Sequence, residues 1–192
     1  MKIKLVLGLL LVTSVSIFGQ DKKWSVEANY PISIAGDLGN NNPGIVDLGV
    51  KYRFLDLKVA RIGAGFNAGV FRDRIQNNGL SEDPALIVDF TETNWLLQPK
   101  VFSEFQIPGI PKLRPSLGLG YTVIVSNFDG KTVGQSLDSS NTDGGFNLNL
   151  GLSYDITDKL FIQGQYDFIS YAPELGPGDD LGFVKFGLGF RF

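Results

Sequence analysis

Residues 146–156 read FNLNLGLSYDI, and an apolar or aromatic residue occupies every second position of this stretch. The positions between them hold Asn147, Asn149, Gly151, Ser153 and Asp155. An alternation with a period of two is typical of a β-strand whose two faces meet different surroundings. The stretch therefore predicts a strand with one apolar and one polar face.

The same alternation recurs in seven further stretches, at residues 24–32, 46–54, 59–71, 94–105, 116–125, 160–171 and 184–192. Each stretch spans roughly 9 to 13 residues, and no segment shows helical periodicity. Long links rich in Asn, Asp, Gly, Ser and Pro alternate with short ones; the long links are 33–44, 72–93, 126–144 and 172–181, and the short ones are 55–58, 106–113 and 157–158. This layout predicts an all-β fold, an eight-stranded antiparallel up-and-down barrel.

The composition excludes several classes of function. The 192 residues include no cysteine and no histidine, so the chain has no disulfide framework, no thiol nucleophile and no histidine general base. The sequence suggests no cofactor and no metal site. It has 24 glycines, but its 15 phenylalanines argue against disorder. No basic patch indicates a nucleic-acid partner.

The N-terminus has the pattern of a secretory signal peptide. Lys2 and Lys4 precede an apolar run, which is followed by Thr13, Ser14 and Ser16 and ends at Gly19. We expect cleavage after Gly19, which assigns residues 1–19 to the signal peptide and 20–192 to one barrel domain. The alternative is a membrane-anchoring helix, which would need about 20 apolar residues. Cleavage would remove two of the 17 basic residues, so that 15 would stand against 20 acidic ones.

The alternating strands fit either a soluble barrel or sandwich, which buries the apolar face, or a transmembrane barrel, which turns that face to lipid. Aromatic residues concentrate near the ends of the apolar face, and this favours the transmembrane barrel because aromatic girdles mark the two interfaces of a bilayer. One girdle is predicted to hold Trp24, Phe54, Phe105, Phe190 and Phe192, and the other Tyr30, Trp95, Phe146 and Phe168.

The last strand carries a family resemblance. Lys185, Gly187, Phe190 and Phe192 match the C-terminal assembly signal of bacterial outer-membrane proteins. With the signal peptide and the other strands, the chain resembles the small eight-stranded outer-membrane β-barrels of the OmpA transmembrane-domain and OmpX group. The resemblance implies a location in the bacterial outer membrane, insertion by the barrel-assembly machinery, and contact with outer-membrane lipid and lipopolysaccharide.

An eight-stranded barrel encloses a lumen that side chains fill, so the polar face should be packed inside. The charged residues assigned to it nearly balance; they are Glu27, Asp47, Glu104, Asp155 and Asp167 against Lys51, Arg53, Arg61, Lys100, Lys185 and Arg191. Burial of unpaired charge is costly, so we expect an internal ion network, with Glu104 as the partner of Arg53 and Arg61. The alternative is a narrow gated pore. Nine inward glycines are expected to make room for the long charged side chains.

The long links carry twelve acidic residues against Arg72, Arg74 and Lys131. These carboxylates either solvate an exposed surface or bridge divalent cations to lipopolysaccharide. We therefore expect an outer-membrane protein that supports membrane integrity or binds an extracellular ligand or surface through its loops.

Two other functions remain open at this stage. One is OmpW-like passage of small hydrophobic solutes through a side opening at Pro99. The other is a lipid-modifying barrel enzyme, but those families use catalytic histidines, which this chain lacks. The strand serines Ser103, Ser116, Ser153 and Ser170 are its candidate nucleophiles, and we expect no enzymatic activity.

Overall fold

The computed structural model describes residues 22–36, 38, 44–76, 89–132, 135–136, 138–171 and 180–192. The predicted signal peptide, 1–19, and parts of the long links lie outside the described residues. Eight long strands are formed: β1 (Trp24–Ala35), β2 (Val46–Leu57), β3 (Ala60–Gln76), β4 (Asp89–Phe105), β5 (Leu113–Thr132), β6 (Ser139–Asp155), β7 (Leu160–Tyr171) and β8 (Leu181–Arg191). A two-residue strand, Gln135–Ser136, pairs with the end of β5. None of the described residues form a helix long and apolar enough to cross a membrane.

The strands close into a ring. Each long strand pairs antiparallel with its neighbours in sequence, and β1 also pairs with β8, with Val26 opposite Phe190. The backbones of Trp24 and Phe192 exchange hydrogen bonds of 3.1 and 3.0 Å where the ring closes. The predicted eight-stranded antiparallel barrel is therefore confirmed. Below, the end with the three short connections is the turn end, and the opposite end is the loop end.

The two faces of the barrel wall are the reverse of those in a soluble protein. Phe146 is 77% exposed and Leu119 63% exposed on the outside, whereas Lys185 and Asp47 are 1% and 0% exposed on the inside. Soluble proteins almost never bury such charges while leaving a continuous apolar surface in water. The soluble alternative is thereby excluded, and the outer face is the one that meets lipid.

The predicted girdle residues lie on the outer face. Trp24, Phe54, Phe105 and Phe190 lie near the turn end, and each is between 36% and 54% exposed. Tyr30, Trp95 and Phe146 are exposed further along their strands, and Phe168 is partly exposed. Phe192 differs from the others because it is only 9% exposed and its ring stacks on Phe190, with the ring centroids 6.3 Å apart.

Seven of the eight long strands are longer than the alternation predicts, and four of them extend furthest. β3, β4 and β6 have 17 residues each and β5 has 20, so the ladders continue into the predicted links 72–93 and 126–144. Arg72 pairs with Thr93, and Phe128 with Ser139. A transmembrane strand needs about 9 to 11 residues, so the extra pairs extend beyond the hydrocarbon. The predicted boundaries were wrong because the alternation marks only the lipid-facing part of each strand.

Pro99 does not shift the register of the wall. The ladder between β4 and β5 has Leu97 opposite Val123 and Lys100 opposite Gly120, which is the same register on both sides of the proline. Inside the wall, Gln98 donates a hydrogen bond to the Thr122 hydroxyl at 3.2 Å. The proline therefore interrupts the ladder at Gln98 and Pro99 without shifting the register of the two strands.

Two inward glycines give space to aromatic rings. A Cβ at Gly189 would collide with the ring of Phe161, and one at Gly63 would lie 2.6 Å from the ring of Phe102. Other inward glycines, such as Gly65, do lie beside lysine side chains. The expectation that all of them serve charged side chains was therefore too narrow, because two of them make room for phenylalanine rings.

We predict that Gly189→Ala destabilises the barrel by about 1–3 kcal/mol, because the new methyl group overpacks the lumen against Phe161. Urea unfolding in lipid vesicles, followed by the heat-dependent gel mobility of the folded barrel, measures the change. Gly164→Ala is the matched control, since its Cβ would face outward at 3.7 Å from Phe186. Phe161→Leu should offset part of the loss from Gly189→Ala; strictly additive effects of the two changes would contradict the proposed contact.

Candidate functional site: the lumen

The turn end of the lumen is filled by the turn-end cluster, which consists of Arg53, Arg114, Arg191, Glu104 and Asp155. Arg53 Nη2 lies 2.8 Å from Glu104 Oε2, and Arg114 Nε lies 2.8 Å from Asp155 Oδ2. Arg191 bonds to Asp155 and approaches Glu104 at 3.6 Å. Three guanidinium groups thus share two carboxylates, which leaves this cluster with an excess of one positive charge.

Aromatic rings lie above the turn-end cluster. The guanidinium carbon of Arg191 is 4.0 Å from the centroid of the Phe161 ring, and that of Arg53 is 5.7 Å from the centroid of Phe102. Lys51 Nζ is 5.5 Å from the same Phe102 centroid. Cation–π attraction is stronger where water is excluded, so the rings stabilise cations for which carboxylates are too few.

The middle of the lumen holds the mid-lumen cluster, three lysines and three carboxylates: Lys51, Lys100, Lys185, Glu27, Asp47 and Asp167. Lys51 Nζ is 2.6 Å from Glu27, and Lys185 Nζ is 2.7 Å from both Asp47 and Asp167.

Neutral amides complete the hydrogen bonding of these carboxylates. Gln163 and Gln165 donate to the second oxygen of Glu27 at 2.7 and 2.8 Å. Asn29 and Asn67 donate to Oδ1 of Asp47 at 2.9 and 2.6 Å. These hydrogen bonds offset part of the cost of taking the charges out of water.

Lys100 is the exception in the mid-lumen cluster. Its side chain is buried, and its Nζ has no hydrogen-bond partner among the described residues. Lys185, on β8, instead binds two carboxylates, those of Asp47 and Asp167, and also donates to Gln98 Oε1 at 2.7 Å. Both residues are buried lysines, but the ammonium group of Lys185 has three bonded partners and that of Lys100 has none among the described residues.

An apolar layer, which we call the apolar cap, fills the loop end of the lumen and was not predicted. It consists of Phe71, Leu96, Ile124, Ile169, Leu181 and Phe183, each at most 4% exposed. The rings of Phe71 and Phe183 are in contact, with centroids 4.9 Å apart. The sequence did carry a signal, because pairs of consecutive apolar residues such as Leu96 and Leu97 show that both faces of the strand are apolar there.

The structure brings the predicted lumen residues together with one exception. Arg61 does not bond to Glu104; its Nε donates to Asp56 Oδ2 at 2.9 Å at the turn end, where the Asp56 side chain is 61% exposed. Glu104 already accepts Arg53 and lies near Arg114 and Arg191, so it has no room for a fourth cation. Arg114 was missed, although it lies on the inward face two residues before Ser116 and continues the alternation.

The residues of the predicted assembly signal divide between both faces. Lys185 lies in the mid-lumen cluster, and Gly187 packs against Asn29, where any side chain would collide. Phe190 is on the outer face. Within the described residues, no group of three or more acidic side chains is arranged to hold a metal ion.

A closed antiparallel ring with a lipid-compatible outer face and a polar, filled lumen defines a transmembrane β-barrel. A family model described as the outer membrane protein beta-barrel domain matches residues 5–192. The chain belongs to this family, and the protein is located in the bacterial outer membrane.

Solved structures of outer-membrane barrels share the fold. Ail of Yersinia pestis, solved in complex with the heparin analogue sucrose octasulfate, has a TM-score of 0.55 at 16% identity. Neisserial surface protein A has a TM-score of 0.53 at 16% identity, and the N-terminal barrel domain of Pseudomonas aeruginosa OprF has 0.52 at 17%. Each comparison covers 88% of this chain and 96% of the other. No curated protein matches the sequence.

We predict that Lys185→Met destabilises the barrel by about 3–5 kcal/mol, because it leaves Asp47 and Asp167 as buried carboxylates without their cation. Lys100→Met is the matched control at the same depth, and its effect should be clearly smaller because no carboxylate loses a hydrogen bond. Urea midpoints in lipid vesicles measure both changes. Equal losses from the two variants would contradict this account of the mid-lumen cluster.

Proposed function

We propose that the protein is a sealed, non-conducting barrel that contributes to the integrity of the outer membrane and displays an acidic loop surface. The filling of the lumen carries this proposal. From the turn end to the loop end, a permeating ion would meet the turn-end cluster, the rings of Phe102 and Phe161, the mid-lumen cluster and the apolar cap.

Each of these layers opposes conduction for its own reason. An ion that passes the charged layers has to separate groups that are buried and paired, which is costly in a low-dielectric interior. The apolar cap offers no hydrogen-bonding partner to water or to ions, and hydrophobic constrictions of this kind exclude water. A barrel with both kinds of barrier in series suits a structural role better than a gated path.

We expect the purified protein to give no unitary current steps in planar bilayers, because both barriers remain closed. Arg61→Ala should leave this result unchanged, since Arg61 pairs with Asp56 outside the turn-end cluster. A porin reconstituted in the same bilayers is the positive control. Reproducible unitary steps from the parent protein would refute the sealed lumen.

The charge of the long links supports the loop surface. The twelve acidic residues of these links exceed their three basic residues, so the surface is expected to attract cations. Ail is described in complex with a polysulfated heparin analogue. A polyanion of that kind is repelled by acidic loops, so we propose a cationic ligand here, or a lipopolysaccharide phosphate bridged by divalent cations.

Calcium should protect the loops of whole cells from an external protease, because carboxylates bind this ion and the bridge to lipopolysaccharide would order the links. A variant with Glu82, Asp83, Glu174, Asp179 and Asp180 changed to amides should lose most of the protection. Asp56→Asn with Asp158→Asn is the matched control, because it removes acidic charge at the turn end. Protection that is the same with and without calcium would rule out the bridging role.

Catalysis is not part of the proposal. Ser103 and Ser170 lie on the outward-facing positions of their strands, away from the charged lumen residues. Ser153 donates to the Arg114 carbonyl at 3.4 Å and accepts from Arg191 at 3.2 Å, so it is part of the packing around the turn-end cluster. In the part of the chain that the structure describes, these serines lack the base and the open cleft that an activated nucleophile requires.

A further inference from the structure

A groove of about 340 Å³ crosses the outer face of the barrel on the side where the ring closes. Outward side chains of four strands line it: Leu48 of β2, Val26 and Ala28 of β1, Leu188 and Phe190 of β8, and Leu160 of β7. We propose that this groove binds one phospholipid of the inner leaflet, with an acyl chain in the groove and the phosphate at Lys159.

The small side chain of Ala28 forms the floor of the groove. Ala28 pairs with Leu48 on one side and with Leu188 on the other, and each leucine is 55% exposed. Glu27 and Gly189 also line the groove, although the side chain of Glu27 lies in the mid-lumen cluster. They therefore contribute backbone to the floor, and the groove reaches down to the barrel wall itself.

The spacing of the strands limits what can enter the groove. Neighbouring strands lie about 4.8 Å apart, so β2 and β8, which flank β1, are about 10 Å apart at Leu48 and Leu188. A slot of this width admits one hydrocarbon chain but not the wall of a second barrel. Because the groove lies on the face that meets lipid, an acyl chain is the occupant that fits it.

The concave shape distinguishes the groove from the rest of the lipid-facing surface. Lipid chains are as apolar as leucine, so van der Waals contact, and not the burial of apolar area, decides where a chain binds. A chain between Leu48 and Leu188 has protein atoms beneath it and on both sides, whereas a chain over a flat part of the wall is contacted from one side only. The groove should therefore hold a chain more firmly than its surroundings do.

A cation lies beside the groove at the turn end. Lys159 Nζ is 5.9 Å from the centroid of the Phe190 ring, which lines the groove. The Lys159 carbonyl accepts the N–H of Arg191 at 2.8 Å, which holds the connection between β6 and β7 beside β8. An ammonium group has three donors, so its contact with the ring leaves donors for a phosphate.

The floor of the groove and the cation lie at the depths that one lipid requires. Phe190 and Leu160, which pair with each other, are closer to the turn end than Leu188 and Ala28. The short connections of outer-membrane barrels face the periplasm, so Lys159 lies at the depth of the inner-leaflet headgroups and Ala28 lies further into the hydrocarbon. A phospholipid of that leaflet would thus reach both.

Native mass spectrometry of the folded barrel tests the proposal. The protein is inserted into vesicles of phosphatidylethanolamine and phosphatidylglycerol and then transferred to detergent micelles. One phospholipid should stay bound to each barrel after the micelle is removed. Ala28→Leu should abolish this retention because leucine fills the groove.

Ala64→Leu is the matched control, since Ala64 is exposed on the same outer face between Tyr52 and Val101. This variant should retain the phospholipid as the parent does. Equal retention by the Ala28 and Ala64 variants, or no retention by the parent, would overturn the proposal.

Diacylglycerol with the same chains tests the phosphate separately, because it lacks that group. From vesicles with equal amounts of both lipids, the parent should retain phosphatidylglycerol about fivefold more than diacylglycerol, the preference that one basic residue near a membrane surface supplies. Lys159→Gln should reduce this ratio to near unity, whereas Lys112→Gln, the same change at another short connection, should preserve it. An unchanged ratio in Lys159→Gln would overturn the proposal, and this variant decides the question if Ala28→Leu does not fold.

The masses in the same spectra identify the occupant of the groove. A detergent molecule in place of the phospholipid, or a dimer of the barrel that Ala28→Leu dissociates, would overturn the lipid assignment. The inference goes beyond the proposed function and depends on insertion in a bilayer, not on a sealed lumen, so unitary currents would leave it standing.

Discussion

All inward side chains of eight strands must fit one lumen that is only as wide as those side chains, and the rest of the structure depends on this constraint. The fit is visible where Gly189 leaves space for Phe161 and where the guanidinium of Arg191 lies over that ring. Because these groups are in direct contact, each one fixes the position of the next. The same crowding explains why carboxylates are shared among cations and why aromatic faces substitute for missing negative charge in the turn-end cluster.

The sequence predicted the parts of the fold that lipid selects. The bilayer requires an apolar outer face, so an alternation such as that of residues 146–156 identified the strands, and the link lengths indicated their antiparallel order. The ladders between β3 and β4 and between β5 and β6 continue beyond that zone with Thr, Asn and Asp. Outside the hydrocarbon both faces of a strand can be polar, so backbone pairing persists where the alternation stops, and composition resembles that of a loop.

The sequence predicted which charged residues face the lumen, but not which of them pair with each other. The alternation placed Arg53 and Glu104 on the inward face, but it did not show that Arg61 would pair with Asp56 at the turn end. That outcome depends on how many cations already surround Glu104, which is a three-dimensional property. The apolar cap was missed for a different reason. Where Phe71 faces inward and Val70 outward, both are apolar, so the alternation disappears although the strand continues.

The charged residues of the lumen contribute more to specifying the register of the strands than to the stability of the barrel. Buried ion pairs gain little over well-packed apolar groups, because the loss of hydration offsets their attraction. A slip of one residue between two strands would, however, turn inward groups such as Lys185 or Asp47 towards lipid. Each basic side chain at the bilayer midplane would then cost about 2–4 kcal/mol. A slip of two residues keeps both faces in place but separates charged partners such as Lys185 and Asp47, and a buried charge without its partner is costly. The mid-lumen cluster therefore penalises this kind of wrong register as well. This argues that the cluster and the apolar outer face specify one barrel together, since the charges exclude the registers that hydrophobic matching alone would tolerate.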